Sequence, residues 1–331
     1  MLLLFIFNLL ILSSFGLQVA VIGTTGKLAR KTIELLSQNN ISCKCLLRHN
    51  LLAAPQSSSL SSSTLSSTNS EQVASYLSSL PNVQMIPGDL QDVNSLTNLF
   101  QDCDAVLSLQ GPSRPNPIQS LLPFLVSQEN PNHGYMVNYI GTKNIIDAVK
   151  QTNTVKRIVR ITGKNEQPFN IFAILINMLG YMAKGWNYES EALLRQSGLD
   201  YTIIRPGVMM DDDTIGLVNK GLKDNGGDLK VTKVSYLQIA QLLVGCLEYD
   251  NCKKSTLTAM NVEKDEDVEG EDMYGVEDYS TLLAMVKPDS REFPSTLIEL
   301  HKWGARLGFS FLVLFVAGFV KGFMAVLRLW I

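Results

Sequence analysis

Val19-Ala-Val-Ile-Gly-Thr-Thr-Gly-Lys-Leu-Ala-Arg-Lys-Thr-Ile-Glu-Leu-Leu36 decides the reading of this chain. Val19 to Ile22 is a short, mostly β-branched run of the kind that forms a fully buried parallel strand. Gly23 interrupts it, and Gly26 and Ala29 follow in the pattern G-x-x-G-x-x-A. Ile33, Leu35 and Leu36 then supply the apolar side of a helix. Each small residue has its own physical reason. Gly23 permits a tight turn, Gly26 lets a pyrophosphate approach the backbone, and Ala29 lets the helix pack close to the strand. The unpaired N–H groups at the helix start, with the helix dipole behind them, favour an anion there. Gly23, Thr24, Thr25, Gly26, Lys27 and Leu28 are therefore the expected phosphate-binding residues of a dinucleotide site.

Outward from this unit the pattern repeats. Asn40 to Arg48 reads as a second strand, Glu71 to Leu80 as a helix, and Val83 to Ile86 as a third strand. Val93 to Phe100 reads as a helix and Asp104 to Gly111 as a fourth strand. Val137 to Val149 has helical spacing, and Arg157 to Gly163 is a fifth strand. Tyr188 to Gln196 is a helix, Asp200 to Gly207 a sixth strand, Ser235 to Leu247 a helix and Ser255 to Asn261 a late strand. Alternation of this kind predicts an α/β fold, a doubly wound parallel sheet with helices on both faces. Phe169 to Gly180 is strongly apolar and reads either as a buried helix or as a lid touching a membrane.

The 331 residues, 46% of them hydrophobic, suffice for one large domain, expected over residues 17–262. The net charge of −3 gives no basic surplus, which sets nucleic acid aside as a partner. Residues 55–70 are nearly all serine and cannot bury enough surface to fold, so they read as a disordered insertion. Residues 263–296 begin with an acidic run read as a solvated linker, with no ordered ligand spacing for a metal. The five cysteines are an odd number without zinc spacing, and buried free thiols are expected.

Both ends are apolar. Residues 1–16 resemble a signal or leader segment, and residues 297–331 contain an apolar stretch, Leu307 to Leu327, long enough to span a bilayer. Lys321 interrupts that stretch, so spanning the membrane and lying in its interface are both open readings. Association with a membrane of the secretory pathway or of a plastid is expected.

The second strand ends in Arg48, and no acidic residue stands nearby to hold a ribose hydroxyl. A planar guanidinium there suits a 2′-phosphate, so NADPH is the expected cofactor. Lys27 and Arg30 add positive potential.

Together, Gly23-Thr-Thr-Gly-Lys-Leu-Ala-Arg30, Gly88-Asp-Leu90, Val137-Asn-Tyr-Ile-Gly-Thr-Lys-Asn144 and Ser197-Gly-Leu-Asp-Tyr-Thr-Ile-Ile-Arg-Pro-Gly207 resemble the atypical short-chain dehydrogenase/reductases of the NAD(P)-binding, NmrA-like type. The resemblance covers about residues 18–262. It implies a Rossmann fold, with Asp89 and Leu90 flanking the adenine and Gln110 and Gly111 near the ribose and phosphates. Thr162, Pro206 and Gly207 would lie at the nicotinamide end. Read from the residues alone, Asp89 is equally a cap for the helix after it, and Pro206-Gly207 a turn. The family's enzymes use a Tyr-x-x-x-Lys pair, in which lysine lowers the tyrosine pKa. Here Tyr181 and Lys184 stand one residue closer. They either work from a shifted register or do not act. The resemblance thus implies hydride transfer to a lipophilic carbonyl or activated double bond, or a non-catalytic NADP(H)-responsive scaffold or assembly factor with a protein partner.

Overall fold

A computed structural model of the chain describes residues 16–48, 70–112, 127–215, 220–227, 229–262 and 279–330. The segment read as a leader up to residue 15, the serine tract up to residue 69 and the acidic run 263–278 lie outside the described residues.

Strand β1 (Gln18–Ile22) leads through the glycine turn into helix α1 (Lys27–Gln38) and strand β2 (Ser42–Leu47). Helix α2 (Ser70–Ser78), strand β3 (Val83–Pro87), helix α3 (Val93–Phe100) and strand β4 (Ala105–Ser108) follow. A π-helical turn, Tyr135–Ile140, runs into helix α4 (Gly141–Thr152) and strand β5 (Arg157–Ile161). Helices α5 (Ile171–Leu179) and α6 (Ala183–Gln196) precede strand β6 (Tyr201–Pro206). Short strands β7 (Val208–Met210), β8 (Lys220–Lys223) and β9 (Lys233–Ser235) precede helix α7 (Tyr236–Gly245) and strand β10 (Ser255–Asn261). Helices α8 (Tyr279–Met285) and α9 (Ile298–Trp330) end the chain.

The main sheet has the order β3-β2-β1-β4-β5-β6-β10-β8, with β7 and β9 paired apart from it. All its pairings are parallel except β10 with β8. The expected doubly wound Rossmann sheet is therefore present. Its order reverses between β1, which pairs with β2 on one side, and β4 on the other. The crevice beyond the carboxyl ends of such a pair is where open α/β sheets take ligands.

Alternation along the strands builds two cores. Val19 and Val21 face the cluster that contains Leu28, Ile33 and Leu36 of α1 and Leu242 and Leu243 of α7. Ala20 and Ile22 face the opposite cluster with Leu96, Leu99 and Phe100 of α3 and Ile145 and Val149 of α4. All five cysteines are buried and free, as their spacing predicts. Burial pushes the Cys103 thiol up to about 11, so it stays protonated.

The chain divides into two compact units. The first comprises residues 1–111, 140–164 and 193–293, and the second residues 112–139, 165–192 and 294–331. Part of the stretch read as an acidic linker is ordered in the first unit. Helix α8 buries Tyr279, Leu282 and Leu283 there, because its three apolar side chains find a place in the α1–α7 core.

In the second unit, one carboxylate oxygen of Glu189 accepts hydrogen bonds from the Thr296 hydroxyl and from the N–H groups of Leu297 and Ile298, at 2.8 to 3.0 Å. It thereby caps the start of α9. His301, on the first turns of α9, is buried between the side chain of Asn177 and the carbonyl of Asn165, each at 2.9 Å.

Candidate functional site

The glycine turn lies across the carboxyl ends of β2, β1 and β4. Gly23 has φ +87°, and a Cβ built on it would stand 2.8 Å from the Gln110 amide nitrogen and the Leu109 carbonyl. Only glycine fits both the backbone angle and the approach. The Thr24 hydroxyl is buried and donates to the Leu46 carbonyl at 2.7 Å, pinning the turn to the end of β2. Thr24 thus supports the turn through its side chain.

Gly26 precedes α1 and offers the helix no side-chain cap, and the first turn of α1 carries no acidic residue. Helices α3, α5 and α7, by contrast, are capped by Asp92, Asn170 and Ser235. Gly26 is exposed, and a Cβ there would meet only the Gly23 carbonyl. The open backbone N–H groups and the cations Lys27, Arg30 and Lys31 give this end of α1 a potential that suits an anion. Lys27 and Lys31 pair with Asp211 and Asp213 at 2.8 and 2.7 Å. The Lys27 ammonium donates to Asp211 and holds its carboxyl below the usual carboxylate range. The Arg30 Nε is buried with no hydrogen-bond partner among the described residues.

A relay fixes the β4 side of the crevice. Buried Arg160 donates to the Ser108 hydroxyl at 3.0 Å, and that hydroxyl donates to the Gln110 Oε1 at 2.9 Å. The Gln110 Nε2 is buried with no partner among the described residues. Gly111 has open space around it. Orphaned polar atoms, an uncapped helix and an unobstructed glycine fit the phosphates and ribose of a dinucleotide. Ser108 and Arg160 were not legible as site residues, because their part is to orient Gln110 across strands.

On the β3 side, Asp89 is exposed and accepts from the Gln91 N–H at 2.9 Å. The helix after it is capped by Asp92 instead, which accepts from the Asn94 N–H and the Ser95 hydroxyl. The reading of Asp89 as that helix's cap is thereby corrected, since Asp92 stands immediately before α3. Leu90 packs on Gly141, where a Cβ would lie 2.7 Å from it, and its carbonyl accepts from Asn144 at 3.1 Å. That gives two residues of the Val137–Asn144 motif a task that spacing alone did not show. Arg48 is exposed at the end of β2 and has no hydrogen bond among the described residues.

At the far end, the Thr162 N–H donates to the Ile204 carbonyl at 2.9 Å. Pro206 ends β6 as a buried residue, and Gly207 is closed in by the Thr232 carbonyl and the Met260 sulfur. Tyr181 and Lys184 belong to the second unit. Tyr181 is 3% exposed, its ring 5.7 Å from that of His133. Burial lowers the His133 pKa. Tyr181 and Met182 have φ +53° and +58°, so the tyrosine sits in a left-handed turn before α6, while Lys184 lies within the helix. The two do not share a helix face, which the residue spacing could not reveal. Among the described residues, no group of three or more His, Cys, Asp or Glu side chains could hold a metal ion.

A family model described as NAD(P)H-binding matches residues 23–250. Protein TIC 62, chloroplastic, of Arabidopsis thaliana is 33% identical over 76 residues, 23% of this chain and 11% of that protein. An uncharacterized chloroplastic protein of the same plant is 26% identical over 186 residues, 51% of this chain and 53% of that one. The chain thus spans about half the length of one curated relative and about a tenth of the other. Among solved structures, a short-chain dehydrogenase/reductase of Veillonella parvula in complex with NADP matches with a TM-score of 0.55 at 13% identity, over 76% of this chain and 97% of that one. An anaerobillin reductase of Escherichia coli O157:H7 matches with a TM-score of 0.51 at 16% identity, over 76% and 99%. These likenesses agree with the Rossmann sheet. The chain belongs to the NAD(P)H-binding family, whose model covers residues 23–250, and carries that family's domain on a Rossmann sheet.

Proposed function

We propose that the protein binds NADPH and reduces a lipophilic carbonyl or activated double bond at a plastid membrane. The observation that carries the cofactor half is the uncapped, cationic start of α1 beneath a glycine turn that no other residue fits. Gly23, Thr25, Gly26, Lys27 and Leu28 would hold the pyrophosphate, with Thr24 fixing the turn, and Arg48 the 2′-phosphate. Asp89 and Leu90 would bracket the adenine, Gln110 and Gly111 the ribose, and Pro206 and Gly207 the nicotinamide end. When bound, NADPH supplies a hydride. The chain's own part is to orient it, exclude water and deliver a proton, for which Thr162, Tyr181 and Lys184 are the proposed residues.

The membrane half is supported by Ile298–Ala325, the one helix among the described residues that is long and apolar enough to cross a bilayer. Two chloroplastic relatives support the plastid.

A second reading, an NADP(H)-responsive scaffold or assembly factor, is favoured by Tyr181. A tyrosine buried in a left-handed turn is poorly placed for a proton-transfer helix. NADPH oxidation followed in detergent micelles with lipophilic quinones, aldehydes and enals separates the two. Saturable oxidation with any of them supports the reductase. Tight NADPH binding without oxidation supports the scaffold.

A further inference from the structure

Helix α5 has the sequence Ile171-Phe-Ala-Ile-Leu-Ile-Asn-Met-Leu179, with no charged residue. Its buried side is Ala173, Asn177 and Met178. Its other side leaves Ile171, Phe172, Leu175, Ile176 and Leu179 exposed, with Phe169 just before it, and Phe172 is 70% exposed. A contiguous apolar patch of this kind on a soluble surface marks an interaction site.

The placement of α5 says what covers it. Gly304 and Gly308 of α9 stand one turn apart, and α5 packs on both. A Cβ on Gly308 would lie 2.7 Å from the Met178 sulfur and closer still to Ile174, and one on Gly304 2.7 Å from the Pro168 carbonyl. Small residues four apart admit this close helix contact. The contact falls where the surface of α9 changes. Lys302 comes before it and Arg306 lies between the two glycines, with the Arg306 guanidinium 5.5 Å from the ring of exposed Trp303. From Leu307 through to Ala325 the exposed surface of the helix is apolar except at Ser310 and Lys321. That stretch is about 28 Å long at 1.5 Å per residue, close to the thickness of a hydrocarbon core. Trp303 and Arg306 are the residue types that mark a membrane interface. The nine residues of α5 are too few to span, so the helix lies at the level where α9 enters.

We propose that α5 is an interfacial membrane helix, inserting Phe172, Leu175 and Ile176 at the headgroup–acyl boundary beside α9. The proposal rests on the reading of α9 as a membrane helix. The test uses the full chain in vesicles of phosphatidylcholine and phosphatidylglycerol. A fluorophore is attached at Phe172→Cys or, independently, Leu175→Cys. Phe315→Cys on α9 and Lys150→Cys on α4 serve as references. The native thiols are buried and stay unlabelled. Doxyl lipid should quench positions 172 and 175 as it does 315, with loss of the iodide quenching seen at 150. Iodide quenching at 172 and 175 with lipid quenching at 315 overturns the proposal and leaves the spanning helix standing. Iodide quenching at 315 as well overturns both. Protection of 172 and 175 from both quenchers means a protein covers α5, and that also overturns the proposal.

Discussion

Gly23 lies under Gln110 so closely that a Cβ on it would stand 2.8 Å from the Gln110 amide nitrogen, with φ at +87°. One residue thereby joins the first strand's turn to the end of the fourth strand, across the point where the sheet order reverses. Gly23→Ala must force a left-handed residue, costing roughly 1–2 kcal/mol, and overpack a backbone contact, costing about 1–3 kcal/mol. Chemical denaturation should show a loss in that combined range, and NADPH titration a weakening of at least about tenfold.

Thr24→Val keeps the shape of the side chain and removes the bond to the Leu46 carbonyl. The expected loss of stability is about 0.5–1.5 kcal/mol, with Thr24→Ser close to wild type. Equal stability of Val and Ser variants by urea unfolding would show that the bond does not pin the turn.

Asp211 pairs with Lys27 at 2.8 Å, and under the proposed function it would compete with the cofactor's phosphates for that ammonium. Asp211→Asn should therefore tighten NADP⁺ binding by about two- to fivefold, the size of an exposed ion pair. The carboxyl's folded pKa is depressed by the lysine, so the pair is intact above the ordinary carboxylate range and is lost as pH falls through the depressed value. Titrations at falling pH should bring wild type and variant together there, and a gap that persists in acid would contradict the competition.

Tyr181→Phe should lower any NADPH oxidation at least about tenfold if the tyrosine delivers the proton. Unchanged kinetics would remove it from the mechanism and leave it as a packing partner of His133.

The strand–turn–helix at residues 18–38 was legible because each of its small residues has a local reason, and the rest of the alternation followed from strongly periodic segments. Strands β7 and β9 were not legible, since three residues are too few to show a period. Helix α8 was hidden behind an acidic run, because its apolar residues count only once the α1–α7 core receives them. Glycine spacing marked the turn and uncapped helix start that we propose hold the phosphates. The relay Arg160–Ser108–Gln110 and the Lys27–Asp211 pair join residues far apart in sequence, and nothing local announces them. The positive φ of Tyr181 likewise leaves no trace in residue type.

The most direct test of the central claim is calorimetric titration of the full chain with NADPH and NADH, in wild type and in Arg48→Ala. The account predicts saturable binding at one site, with NADPH preferred. It predicts an Arg48→Ala loss of about ten- to a hundredfold for NADPH, the worth of a charge-assisted hydrogen bond, with NADH nearly unchanged. A wild type that prefers NADH, equal losses for the two cofactors, or no saturable binding of either would contradict it.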